Sequence, residues 1–109
     1  MAITYKNARQ AVGTSYTTVY TCPSATTAIV QNAQAANVDG TNTYDASLQW
    51  LDSSASNAAT RLVELVAVPA KAALNLLGGP VVLEAGDVIQ AKASTASKIE
   101  LTLAVCEIT

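Results

Sequence analysis

A chain of 109 residues, half of them hydrophobic, has the length of one folded domain and is too apolar to stay disordered. Its net charge of −2 is carried by only six Lys and Arg against eight Asp and Glu, thinly spread. That leaves no basic stripe to displace counterions from phosphate, which argues against nucleic-acid binding, and no run of 18 apolar residues offers a membrane span.

Turn signals recur at short intervals, separated by runs rich in Val, Ile and Thr, the spacing of a β-sandwich or barrel. The first run, Thr4 to Val12, ends at Gly13. The second, Ser15 to Cys22, alternates so that Tyr16, Thr18, Tyr20 and Cys22 share one face, and Pro23 ends it. A third run from Thr26 to Asn37 is polar enough for a long, half-exposed strand. Asp39-Gly40 then reads as a turn taken with positive φ at the glycine. Beyond a polar loop, Ala46, Leu48 and Trp50 alternate with Ser47, Gln49 and Leu51, which points the single Trp inward. The stretch from Asp52 to Ala59 is small and polar, a loop with some helix-like character.

Arg61 to Val68 is apolar on both faces apart from Glu64, the pattern expected of a central strand covered on two sides, and Pro69 ends it. A strand from Ala72 to Leu77 precedes the break at Gly78-Gly79-Pro80, followed by Val81 to Leu83. In the tight turn Glu84-Ala85-Gly86-Asp87, Gly86 takes a conformation that a Cβ penalises and Asp87 accepts bonds from turn amides. After Val88 to Ala93 and a polar loop comes the cleanest alternation. There Ile99, Leu101, Leu103 and Val105 form one face. Eight or nine short strands in one domain over residues 1–109 predict an all-β, jelly-roll-like sandwich, with Leu48, Trp50, Leu83, Leu101 and Leu103 in its core. Cys22-Pro23 and Val68-Pro69 read as matching strand-proline corners, too short an echo to be a repeat.

Charged residues make up 13% of the chain, about half the usual share, and aromatics are sparse, while Ala occurs 21 times. A soluble monomer ordinarily relies on dense mixed charge, so much of this surface is expected to be interface. The uncharged faces of Thr26 to Asn37 and Thr41 to Asn57, with the strand edges, are the expected contacts. Residues Met1 to Gln10 lack the apolar stretch of a signal peptide, so the chain is expected to be made in a cytosol. There Cys22 and Cys106 act as small, reduced, apolar residues, although the sequence leaves a bridge open.

The chain contains no histidine, the commonest general base and zinc ligand, and its eight carboxylates show no spacing that requires a shared cleft. An enzyme is therefore not expected, nor a cofactor. Gly78-Gly79 is followed by Pro80, which removes a backbone donor where a phosphate loop needs one. Asn37 to Asp45 offers oxygen ligands of the kind calcium takes, but Leu48 stands where a closing Glu is required, so Asp39-Gly40 reads as a turn and no metal is assigned. Tyr5, Tyr16, Tyr20 and Tyr44 with Trp50 would suit a sugar-stacking platform, provided they converge.

From Gly13-Thr14-Ser15-Tyr16 through Asn37-Val38-Asp39-Gly40-Thr41 and Trp50-Leu51-Asp52 to Val82-Leu83-Glu84-Ala85-Gly86-Asp87 and Glu107-Ile108-Thr109, the chain resembles the small virion proteins of tailed bacteriophages. The resemblance implies a capsid cement or decoration protein. It would act as a homo-oligomer, such as a trimer, on major capsid subunits, and would be located in the virion. A neck, tail or fibre component is the alternative within that class, and a carbohydrate-binding module the alternative outside it.

Overall fold

The computed structural model describes residues 1–109, which form nine strands: β1 (Ile3–Val12), β2 (Thr17–Thr21), β3 (Thr27–Asn37), β4 (Tyr44–Asp52), β5 (Ala58–Val68), β6 (Ala73–Asn75), β7 (Val81–Leu83), β8 (Val88–Ala93) and β9 (Ile99–Ile108). A single 3-10 turn, Ser53–Ala55, joins β4 to β5 and is capped by the Asp52 side chain. All pairings are antiparallel. One sheet runs β1-β9-β3-β6, with β7 also on β3, and the other runs β2-β8-β4-β5. β6 and β7 pair with successive stretches of the same β3 edge and so occupy one strand's place, interrupted at Gly78-Gly79-Pro80. With that pair counted as one, two four-stranded sheets of this order make the jelly roll expected from the sequence.

The core lies between the sheets. Ile99, Leu101, Leu103 and Val105 of β9 are all at most 1% exposed and share the core with Leu48 and Ile89 of the second sheet and with Leu83 of their own. Alanines at 28, 33 and 35 on β3 and at 91 and 93 on β8 are buried among these larger chains, so small and large residues interdigitate and an aliphatic core fills without Phe. Trp50 lies only at the core margin, half-buried, with its indole N–H enclosed and unbonded.

Four readings of the sequence need correction. Arg61 to Val68 lies in β5, an edge strand of the second sheet, and Leu65 is 61% exposed. Two register breaks against β4, with Leu65 at φ 54, bulge this strand, which blunts the edge against further pairing. Tyr16 and Thr18 do not share a face with Tyr20 and Cys22. The β2 register breaks between Thr18 and Tyr20, and the extra residue, Val19, swaps the alternation, turning Tyr16 outward and Tyr20 inward. Gly40 lacks a positive φ, which among glycines belongs to Gly86 alone at +88. Finally, the outward-facing Ser47 and Gln49 in the middle of Thr41 to Asn57 are buried, so only the two ends of that stretch, Thr41 to Thr43 and Ser53 to Asn57, are exposed.

Three corners share one conformation in place of the expected two. Ala25 after Cys22-Pro23, Lys71 after Val68-Pro69 and Gly86 after Leu83 each sit at positive φ, immediately before the chain turns back into the next stretch.

Candidate interaction surface

The two turn aspartates singled out in the sequence each accept hydrogen bonds from backbone amides and hydroxyls around them. Asp39 Oδ1 accepts from the Thr41 N–H at 2.8 Å and its hydroxyl at 3.0 Å, while Oδ2 accepts from the Tyr44 hydroxyl at 2.9 Å. The Thr41 amide, then the Tyr44 and Thr41 hydroxyls, hold the Asp39 carboxyl well below the usual carboxylate range. Asp39 therefore makes the turn itself, leaving Gly40 in ordinary backbone geometry, and both of its oxygens are occupied where a cation would need them. Buried Asn37 closes the same end of the sandwich, donating at 2.9 Å to the carbonyls of Asn42 and Val68.

Asp87 does comparable work at the opposite end and is 1% exposed. Its Oδ1 accepts from the Ser53 N–H (2.9 Å) and hydroxyl (3.0 Å), and Oδ2 accepts from the Glu84 N–H (2.9 Å). Burial pushes this carboxyl up, but the Ser53 and Glu84 amides, with the Ser53 hydroxyl adding to them, outweigh burial, and it titrates below its ordinary value. A Cβ on Gly86 would stand 3.0 Å from Ser53 Oγ, so this corner is closed to larger residues by contact as well as by φ. Asp52, Glu84 and Asp87 bring carboxylate oxygens within 4.8 Å of one another. Asp87 is already committed to amides, and Asp52 caps the 3-10 turn.

The aromatic residues do not converge. Tyr20 reaches across the sandwich and donates to Glu107 at 2.5 Å, and burial followed by that carboxylate raises its phenol well above the ordinary range. Tyr16 lies over the outer face of the second sheet, with Arg61 and Lys92 at 5.0 and 4.9 Å from its ring centre. Beneath it runs a polar row, one side chain per strand. Gln90 donates to Thr18, Gln49 donates to Gln90 at 2.7 Å, and Arg61 donates to Gln49. Tyr5 is on the other sheet, so no stacking platform forms. Cys22 and Cys106 are both free and buried, and burial pushes the Cys22 thiol up.

The open surface is the outer face of the first sheet. Tyr5 on β1 pairs with Cys106 on β9, which pairs with Ile29 on β3, which pairs with Val82 on β7. These four side chains make an unbroken apolar row across four strands. Tyr5 is 74% and Val82 57% exposed. The adjoining row begins with Ile3, 55% exposed, and Ile108. At the other end of the same face the row is Arg9, Thr102, Gln34 and Asn75. There a shallow depression of about 490 Å³ is bordered by Arg9, Glu100 and Thr102, among others. One face is thus apolar at one end and polar at the other. β1 borders it as a free edge whose ten pairs to β9 run without a bulge.

No protein-family model matches this chain, and no curated protein matches it in sequence. Its fold has a counterpart among solved structures. A protein of Bacillus endospore appendages, described as forming a novel family of disulfide-linked pili, is similar with a TM-score of 0.56 over 97% of this chain and 84% of that one. The two share 10% sequence identity, so the similarity is one of fold. The apolar row depends on strand register, which the sequence does not display. Its signal was limited to apolar residues, Tyr5, Ile29 and Val82, at positions a one-sided strand would give to polar ones.

Proposed function

We propose that this chain is a non-catalytic structural subunit that works by packing against copies of itself or against other proteins of a shell or filament. The observation that carries the reading is the uncovered apolar end of the first sheet on a chain so poor in charge. An exposed row of this kind is favourable to bury and has no partner within the fold. The lack of histidine and the commitment of Asp39 and Asp87 to backbone amides support a non-catalytic role.

Within that reading, a virion cement protein on major capsid subunits rests on the phage-like phrasing of the sequence. Its action would be mass action, since a partner that binds only the assembled shell stabilises it without chemistry. A filament subunit is the second reading, favoured by the fold shared with a pilus protein. Sedimentation velocity of the purified chain, negative-stain imaging and co-sedimentation with expanded capsids test both. A defined oligomer, filaments or capsid binding is expected. A stable monomer that forms no fibres and ignores capsids would overturn the proposal.

A further inference from the structure

We infer that the occupant of the apolar end of the first sheet is the same end of a second copy, the two sheets packing face to face about a two-fold axis that runs along the Tyr5-Cys106-Ile29-Val82 row. The inference rests on the structural-subunit reading above and adds to it the surface, the partner and the symmetry.

Charge selects the partner. The row and its neighbour through Ile3 and Ile108 contain no Lys, Arg, Asp or Glu, so two copies meet there without bringing like charges together. Packing the opposite end of the face would instead take Arg9 and Glu100 out of water. The one ion pair in the chain joins Arg61 to Glu64 on the other sheet, so neither Arg9 nor Glu100 has a partner that would neutralise it. A two-fold axis across the strands at the apolar row places that row on its own counterpart and the Ile3-Ile108 row on the uncharged Asn7-Ala104-Asn32 row, and sends the polar ends in opposite directions into water. Each residue of the row then faces its own counterpart, as an isologous contact requires.

Area is consistent with this. The Tyr5 row, the Ile3-Ile108 row on one side of it and the uncharged Asn7-Ala104-Asn32 row on the other, about 7 Å apart on strands about 4.8 Å apart, cover about 350 Å² of projected sheet, or roughly 600 Å² of accessible surface once pleat and side chains are counted. Two copies would bury about 1,200 Å², the lower end of the range for specific interfaces. The expected dimer is therefore modest in strength and dependent on concentration.

The test uses the full chain in sedimentation velocity over a concentration series, with V82E and Y5E at the apolar end and T102E at the polar end of the same face. A desolvated charge at the contact should weaken dimerisation by about 100-fold or more, whereas T102E should leave it within a few-fold of wild type. Unchanged melting temperatures would show that the variants fold. Independently, V82C should be joined to its counterpart by a bis-maleimide spanning about 10 Å, the separation of packed sheets, and T102C should not. Assembly that survives V82E and Y5E, or cross-linking of T102C in place of V82C, would overturn this geometry while leaving the structural-subunit reading intact. A monomer at every concentration that still binds capsids would overturn self-docking alone, and a monomer indifferent to everything would remove both.

Discussion

Replacing Asp87 by Ala tests whether the corner between β7 and β8 is held to the β4–β5 connection by one carboxylate. The side chain accepts two backbone N–H bonds, from Ser53 and Glu84, and one hydroxyl bond from Ser53, while being 1% exposed. Hydrogen bonds to a charged acceptor contribute about 1.5–3 kcal/mol each. Both amide-bearing residues lie near the surface, where water recovers part of the loss, so the lower value applies to each and D87A should cost about 3 kcal/mol. With a urea m-value of about 1.5 kcal/mol/M, the midpoint falls by about 2 M. D87N keeps one oxygen acceptor but turns an amide donor toward a second donor, so it should lose at least half as much. E84Q alters an exposed side chain and should change little. The charge has a pH signature: the folded pKa lies below the unfolded value of about 3.9, so the stabilisation is complete above about pH 5 and erodes as pH falls through the folded value. The gap between wild type and D87N should therefore narrow below about pH 4. A D87A midpoint within about 0.5 M of wild type, or a gap that widens on acidification, would refute the reasoning.

Two more predictions concern the turn and the outer face of the second sheet. Calcium or a chelator should leave the melting temperature of the wild type unchanged, because the Asp39 oxygens are occupied by Thr41 and Tyr44, while D39A should lower it; a chelator-dependent shift would restore a cation site there. The Tyr16 hydroxyl is enclosed without a partner, so Y16F should be neutral or stabilising by up to about 1 kcal/mol, whereas Y16A removes the ring that Arg61 and Lys92 pack on and should cost about 2 kcal/mol in chemical denaturation. A Y16F loss larger than that of Y16A would contradict this account.

Legibility in the sequence followed locality. The alternation from Ile99 to Val105 marks the buried face of β9 because a straight strand with one dry side writes its geometry in steps of two. The Leu83 to Asp87 corner was readable in part for the same reason, since the positive φ of Gly86 and the bond from the Glu84 amide to Asp87 are local, whereas the two bonds from the distant Ser53 leave no trace in the sequence. β5 misled because apolar residues on both faces describe a central strand and a doubly bulged edge strand equally well. Only the register against β4 tells them apart. β2 misled because a single extra residue at Val19 is silent in composition. The apolar row lay beyond reach for a further reason: Tyr5, Ile29, Val82 and Cys106 come from four separate strands and become neighbours through pairing alone.

The row from Thr18 through Gln90 and Gln49 to Arg61 has a consequence for how the molecule reaches its native state. The aliphatic core tolerates exchange among Leu, Ile and Val, so a strand displaced by two residues would still present oil to oil. A hydrogen-bonded amide ladder has no such tolerance. Displacing any one of the four strands leaves a buried or half-buried amide without its mate, and the error is costed at every rung. The ladder therefore acts as an alignment key, discriminating against slipped pairings that the greasy interior alone would accept.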